Sequence, residues 1–231
     1  MMKHIFLKAA AVLMMMYGLS SCKKGQIIDG GVSNPRVNMT TYDYLKSNSW
    51  HLFDTTLILI DKAGMKDIIN GDVTFFAPTN YSINKYIATR RDAARKVSEK
   101  LDYTLDSLLK EFTPQMLRDS MSRYCFKGKV TRDQMTEVGK SFESLTPGAP
   151  LNLYLTKYTF TKDGLMTTIA YLVSARRVIG DPDVWVDGKL EDPNDDDDAD
   201  IASVCQTSGV LTTNGVVHVM ANSHIWNFYT N

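Results

Sequence analysis

The sequence predicts an α+β fold, and two observations carry the prediction. Apolar residues recur at helical spacing through residues 41–124, while period-two alternation and hairpin turns dominate residues 151–220. Helices that cluster early and strands that cluster late belong to segregated α+β architectures rather than to alternating βαβ units. With 231 residues, 44% of them hydrophobic, the chain can bury one sizeable core. No long internal repeat is present.

Residues 1–21 carry Lys3 and Lys8 ahead of an uncharged apolar run, Ala9 to Met16, too short to span a bilayer, as expected of a secretory leader. Residues 22–37 are rich in Gly, Asn, Ser and Pro without apolar periodicity, a tether, and the folded domain is expected over 38–231. Thr41 can cap a short helix through Tyr42, Tyr44 and Leu45. The next helical pattern places Leu52, Phe53, Leu57 and Ile60 on one face and stops at Gly64, where a left-handed residue fits. Met65, Ile68 and Ile69 continue it briefly, and Asn70-Gly71 turns the chain.

Val73 to Phe76 reads as a strand closed by Pro78, with Thr79 or Asn80 capping a helix around Ile83 and Ile87. Residues 88–103 interleave basic and acidic side chains with few apolar ones, a solvated helix and an expected insertion. Leu101, Leu105, Leu108, Leu109 and Phe112 form a buried helical stripe. Thr113-Pro114 is an N-cap followed by a first-turn proline, with Leu117, Met121 and Tyr124 facing inward on the helix it opens.

Leu151, Leu153 and Leu155 alternate with polar residues, and a Lys162-Asp163-Gly164 turn leads to a partner strand over Leu165 to Val173. Val184 to Val186 and Lys189-Leu190 suggest a small hairpin on an excursion over 180–200. Val210 to Thr213, Asn214-Gly215 and Val216 to Met220 form a terminal hairpin signal, Asn-Gly accepting the positive φ of a two-residue turn.

Two segments then carry a family resemblance. Val73-Thr74-Phe75-Phe76-Ala77-Pro78-Thr79-Asn80 and Thr213-Asn214-Gly215-Val216-Val217-His218-Val219-Met220 resemble the first and second motifs of the fasciclin-like domain, in the same order. The resemblance covers most of residues 38–229, and implies a β-sandwich or wedge of about seven strands with helices packed on one side. It further implies adhesion or extracellular ligand binding without catalysis or cofactor. Tyr124-Cys125 departs from the Tyr-His pair usual at that place in the family.

Leu19-Ser20-Ser21-Cys22 resembles a bacterial lipobox, which implies that Cys22 becomes a lipidated N-terminus held in a membrane by several acyl chains. Lys23-Lys24 follows with no aspartate of the inner-membrane retention kind. The expected location is therefore the outer membrane, on its periplasmic or surface face. Cleavage before Cys22 removes Lys3 and Lys8 and no acid, leaving a net charge of −2, without the basic surplus a nucleic-acid binder needs.

Cys125 and Cys205 are the other two of three cysteines, and in an oxidising envelope either a disulfide or two buried thiols fits the sequence. Trp185, in the 180–200 excursion, is the candidate binding residue, able to stack on a sugar or anchor a protein interface, or else to cover the base of its own insertion. Trp50 and Trp226 lie beside apolar helix or strand positions. The acidic run Asp192 to Asp200 opens with EF-hand-like spacing at Asp192, Asn194 and Asp196. Asp197 then replaces the turn glycine and Ser203 the bidentate glutamate, so a solvated loop is expected rather than a metal site. His218, between Val217 and Val219, is expected to pack within the fold, and no HxxxH or CxxC spacing makes metal ligands converge. Catalytic residues are not expected, GxSxG, P-loop and dinucleotide fingerprints being absent, although a dispersed triad leaves a hydrolase as a third reading. An alternative to ligand binding is a structural subunit of an outer-membrane complex, such as a glycan-uptake system, docked through 180–200.

Overall fold

The computed structural model describes residues 35–162, 166–179, 184–186, 189–191 and 200–228. The leader, Cys22, the tether to residue 34, the 163–165 turn and residues 192–199 of the acidic run lie outside these. Two short apolar segments form the centre: β1 (Val73–Ala77) and β9 (Val216–Met220) run parallel, with every residue of both buried. Strands covered on both faces read as near-continuous apolar runs, as VTFFA and VVHVM do apart from Thr74 and His218.

From this pair a seven-stranded sheet extends in the order β2-β1-β9-β8-β5-β4-β3. Its other members are β2 (Cys125–Lys127), β3 (Lys140–Phe142), β4 (Leu151–Lys162), β5 (Met166–Arg177) and β8 (Ile201–Leu211). All neighbours except β1 and β9 are antiparallel. The two edges approach each other: Phe126 bridges Ser144, and the Leu145 N–H donates to the Cys125 carbonyl at 2.8 Å, so the sheet is nearly closed into a barrel. β8 links the two halves, pairing with β5 through Ile201–Val204 and with β9 from Cys205 onward. Its register shifts after Cys205 and Thr207, the local bends expected of bulges. Among the described residues, the small hairpin of β6 (Val184–Val186) and β7 (Lys189–Glu191) pairs only with itself.

Helices precede and interrupt this sheet. α1 (Thr41–Lys46) is capped by Thr40, not Thr41, whose own hydroxyl is buried against Thr212 at 3.0 Å. α2 (Asp54–Lys62) ends as expected before Gly64, whose φ of 63° is left-handed. α3 (Lys66–Ile69) leads into β1. α4 (Asn80–Val97) opens on a Thr79–Ser82 capping box and continues through the charged stretch, so the expected insertion begins as the outer end of one long helix. α5 (Leu105–Glu111) starts late, at a second capping box on Thr104 and Ser107, leaving Leu101 outside the helix and exposed. α6 (Pro114–Ser122) has the Thr113-Pro114 start its sequence predicts.

One boundary and one explanation change. The Val37 N–H donates to Leu211 at 2.9 Å and the Leu211 N–H to Pro35 at 2.7 Å, so the folded unit begins at Pro35 and not at residue 38. In the Asn214-Gly215 turn neither residue has positive φ. Gly215 is required there for space, since a Cβ would lie 2.2 Å from the Val73 carbonyl oxygen.

Candidate ligand-binding site

The residues of the interior that invite a chemical role are engaged by the fold. His218 stacks on Phe76 with ring centroids 4.6 Å apart. Its Nδ1 accepts the N–H of Gly209 at 3.3 Å, freed by the β8 bulge, so Nε2 carries the proton and donates to the Val130 carbonyl at 3.0 Å. Burial lowers its pKa to about 4, which keeps it neutral. Tyr124 Oη accepts the Asn227 N–H at 2.6 Å and donates to His224 Nε2 at 2.7 Å; burial holds His224 neutral, its pKa lowered to about 3.

Cys125 and Cys205 are separate buried thiols. β1 and β9 stand between their strands, three spacings of about 4.8 Å, whereas a disulfide needs Cα atoms within about 7 Å. Cys125 Sγ contacts the Met121 carbonyl and Cys205 Sγ the Met220 sulfur, and desolvation raises both thiol pKa values. These are inert core positions.

The surface before α2 is built differently. Trp226 is fully buried, but Trp50 is 87% exposed, because α2 begins only at Asp54 and Asn48 to Leu52 form a loop ahead of it. One side-chain oxygen organises that loop: Asn48 Oδ1 accepts both the Trp50 and the Leu52 N–H at 3.2 Å. Asn80 then fastens the loop to the start of α4. Its amide donates to the His51 carbonyl at 2.6 Å, its Oδ1 accepts the Thr55 N–H at 2.8 Å, and its N–H reaches the Leu52 carbonyl at 2.8 Å. His51 is held at φ 52°, a conformation non-glycine residues seldom adopt and one that clusters at functional positions.

Trp50, His51, Leu52, Asn80, Tyr81, Asn84 and Asn222 line a cleft of about 480 Å³. Tyr81 is 56% exposed, so two aromatic rings stand at the rim. Asn222 is fixed through its Oδ1, which accepts from Thr79 at 3.1 Å and Gln206 at 3.2 Å. Among the described residues, the Trp50 indole N–H, the Tyr81 hydroxyl, the Asn84 amide and the Asn222 Nδ2 have no protein partner. His51 Nδ1 lies 3.2 Å from the Asp54 carboxylate, a contact that is mostly exposed and contributes little. Aromatic faces beside neutral amides, on a backbone already fixed, suit a neutral, hydroxyl-rich ligand better than a charged one.

The family model for the Fasciclin domain matches residues 51–223, three quarters of the chain. The chain belongs to the fasciclin-domain family. A solved structure, a FAS1 domain pair from the insect cell adhesion molecule Fasciclin I, is similar at 12% identity and a TM-score of 0.39; the match covers 76% of this chain and 44% of that one. The chain thus spans less than half the length of the pair. No curated protein matches it.

Within the fasciclin domain, the sequence departs from the family at Tyr124-Cys125, and the structure places a histidine on Tyr124 from elsewhere, His224, one hundred positions on. Trp185 lies on β6, its side chain outside the described residues, and the acidic run is described only at Asp200. The Trp50 cleft went unanticipated because Leu52-Phe53 looks like the start of a helix. The available signal was Asn48-Ser49, turn-forming residues directly before an aromatic residue.

Proposed function

We propose that the protein is a non-enzymatic, lipid-anchored component of the cell envelope, held at the outer membrane through Cys22, whose fasciclin domain binds an extracellular glycan at the Trp50 cleft. The observation that carries this reading is the pinned Trp50 loop. A nearly fully exposed tryptophan on a backbone tied by Asn48 and Asn80 has its ordering cost met before ligand arrives, and its ring can lie on a sugar face. A glycan array probed with the isolated domain tests it. Wild type is expected to retain a neutral glycan that Trp50→Ala loses, Trp50 contributing about 2 kcal/mol as a central aromatic anchor. Binding unchanged in Trp50→Ala would remove the cleft from the reading. Uptake of a clickable fatty acid tests the anchor: label persisting at wild-type level in Cys22→Ala would remove that.

One observation favours the second reading, a structural subunit of an outer-membrane assembly. β4 pairs with β3 through Leu153, and its Leu155 N–H still donates to the Thr136 carbonyl at 2.9 Å; from Thr156 on, among the described residues, it pairs only with β5, and β5 pairs with β8 only from Ser174 to Arg177, so the far half of this hairpin is a two-stranded ribbon. Tyr158 and Phe160 stack on it at 6.3 Å between centroids, both exposed. A ribbon carrying exposed aromatic rings offers a docking arm for such a subunit. Co-purification of a membrane protein that disappears in Tyr158→Ser with Phe160→Ser, while glycan retention persists, would favour this second role.

A further inference from the structure

A second cleft, of about 590 Å³, opens between the end of α6, β3 and the end of β5. Its chemistry is the opposite of the Trp50 cleft: Arg123, Lys140, Arg176 and Arg177 all line it. Arg176 is buried and lies 3.5 Å from Asp200. Among the described residues no carboxylate pairs with Arg123, Lys140 or Arg177. Arg123 and Arg177 are close enough that the charge of Arg177, after desolvation, helps lower the pKa of Arg123.

The two guanidiniums are oriented by one turn. Arg123 Nη1 donates to Asn227 Oδ1 at 2.9 Å and to the Asn227 carbonyl at 3.4 Å; Arg177 Nη1 donates to the Phe228 carbonyl at 3.4 Å. Asn227 and Phe228 present these acceptors from left-handed backbone, φ 65° and 48°, a turn held in place by the Asn227 N–H bond to Tyr124. With Nη1 fixed, each guanidinium has, among the described residues, an Nε–Nη2 edge without a protein acceptor, and Arg123 Nε is buried in that condition. That edge is the fork that meets two oxygens of a carboxylate, sulfate or phosphate side by side. A buried donor without an acceptor, beside Arg177 and Lys140, with which no carboxylate among the described residues pairs, is costly unless a ligand supplies both.

The volume exceeds what a bare oxyanion fills, and Ala149 and Pro150 add apolar wall beside the cations. We propose that this cleft binds a small organic acid of sugar size, its oxyanion on the Arg123 and Arg177 forks with Lys140 beside it and its body against the Ala149–Pro150 wall. The site is separate from the Trp50 cleft and does not depend on the glycan reading.

The test is calorimetric titration of the full folded domain with galacturonate, galactose 6-sulfate and glucose 6-phosphate, against neutral galactose and inorganic phosphate. At least one of the three acids is expected to bind about tenfold more tightly than galactose and than inorganic phosphate, and to weaken as salt rises from roughly 0.05 to 0.5 M. Whichever acid binds best identifies the oxyanion. Lys140 makes only a ring contact with Phe142, so Lys140→Gln should fold as wild type and lose about tenfold in affinity. Arg177→Gln should lose at least as much, melting temperatures serving as the folding control, and Trp50→Ala should bind as wild type. No acid exceeding galactose, inorganic phosphate binding as tightly as the best acid, or acid binding that survives both cation variants would each overturn the proposal.

Discussion

Around Trp226 the fold engages nearly every polar group, whereas around Trp50 it fixes the backbone and leaves the aromatic side chains unbonded. In the first region Tyr124, His224 and the Asn227 N–H bond one another, and His218 has both ring nitrogens bonded to main chain. The Trp226 indole N–H, buried without a protein acceptor, is the exception. In the second region six bonds from Asn48, Asn80 and the main chain fix the Asn48–Thr55 segment, while the Trp50 and Tyr81 side chains bond nothing. The difference teaches where recognition can reside. A buried histidine with both nitrogens occupied is a structural part, however suggestive its residue type; an exposed tryptophan on a fixed backbone is available to a partner.

The largest effect should come from exchanging the two tryptophans for alanine. Trp226 contacts Tyr86 edge-on at 5.1 Å and Phe112 at 5.4 Å between centroids, in the core. Trp226→Ala is expected to lower unfolding free energy by about 3–5 kcal/mol, while Trp50→Ala should stay within about 0.5 kcal/mol. Urea unfolding of both variants measures the contrast, and equal losses would mean that Trp50 packs in solution.

Acid should separate the regions next. His218 and His224 bind protons less readily folded than unfolded, their pKa values lowered by burial from 6.5 to about 4 and about 3. The unfolded chain therefore takes up more protons over that interval, and stability rises with pH. It is complete above the unfolded value and is lost as pH falls through 6.5 toward those folded values. Between about pH 7.5 and 5.5 each histidine should withdraw about 1.4 kcal/mol. His218→Asn should remove about half of that slope. A stability profile flat across this range would refute the neutral, bonded state of both interior histidines.

What the sequence made legible follows the same division. The FAPTN segment and the NGVVHV segment pointed to β1 and β9, because near-continuous apolar runs beside turn residues have few other uses. Thr113-Pro114 and Thr79 marked helix starts because capping is local chemistry. The early part of β8 did not stand out, since residues 201–209 mix polar and apolar side chains around two register shifts, and a bulge breaks the alternation by which strands are recognised. β2 and β3, three residues each, are too short to show a period. The Asn-Gly turn was located correctly and explained wrongly, its glycine serving the approach of Val73 and not a positive φ. Neither cleft could be read from spacing. Trp50 meets Asn222, and Arg123 meets Lys140 and Arg177, only through the order of strands.

A small effect on stability bears most directly on the comparison. Asn48 does not line the Trp50 cleft; its side chain acts only by accepting the Trp50 and Leu52 N–H groups. Asn48→Ala removes that acceptor from a loop open to water, which can hydrate both N–H groups, so the expected stability loss is about 1 kcal/mol or less. The loop would then have to be ordered by the ligand, at about 1–2 kcal/mol for each backbone residue fixed. Glycan affinity should therefore fall about tenfold although every contacting side chain is still present. Asn48→Asp, which keeps the acceptor oxygen, should restore most of it. If Asn48→Ala binds as wild type, the fixed backbone is incidental and Trp50 recognises its ligand from a flexible loop, which would erase the distinction between the two regions as far as binding is concerned.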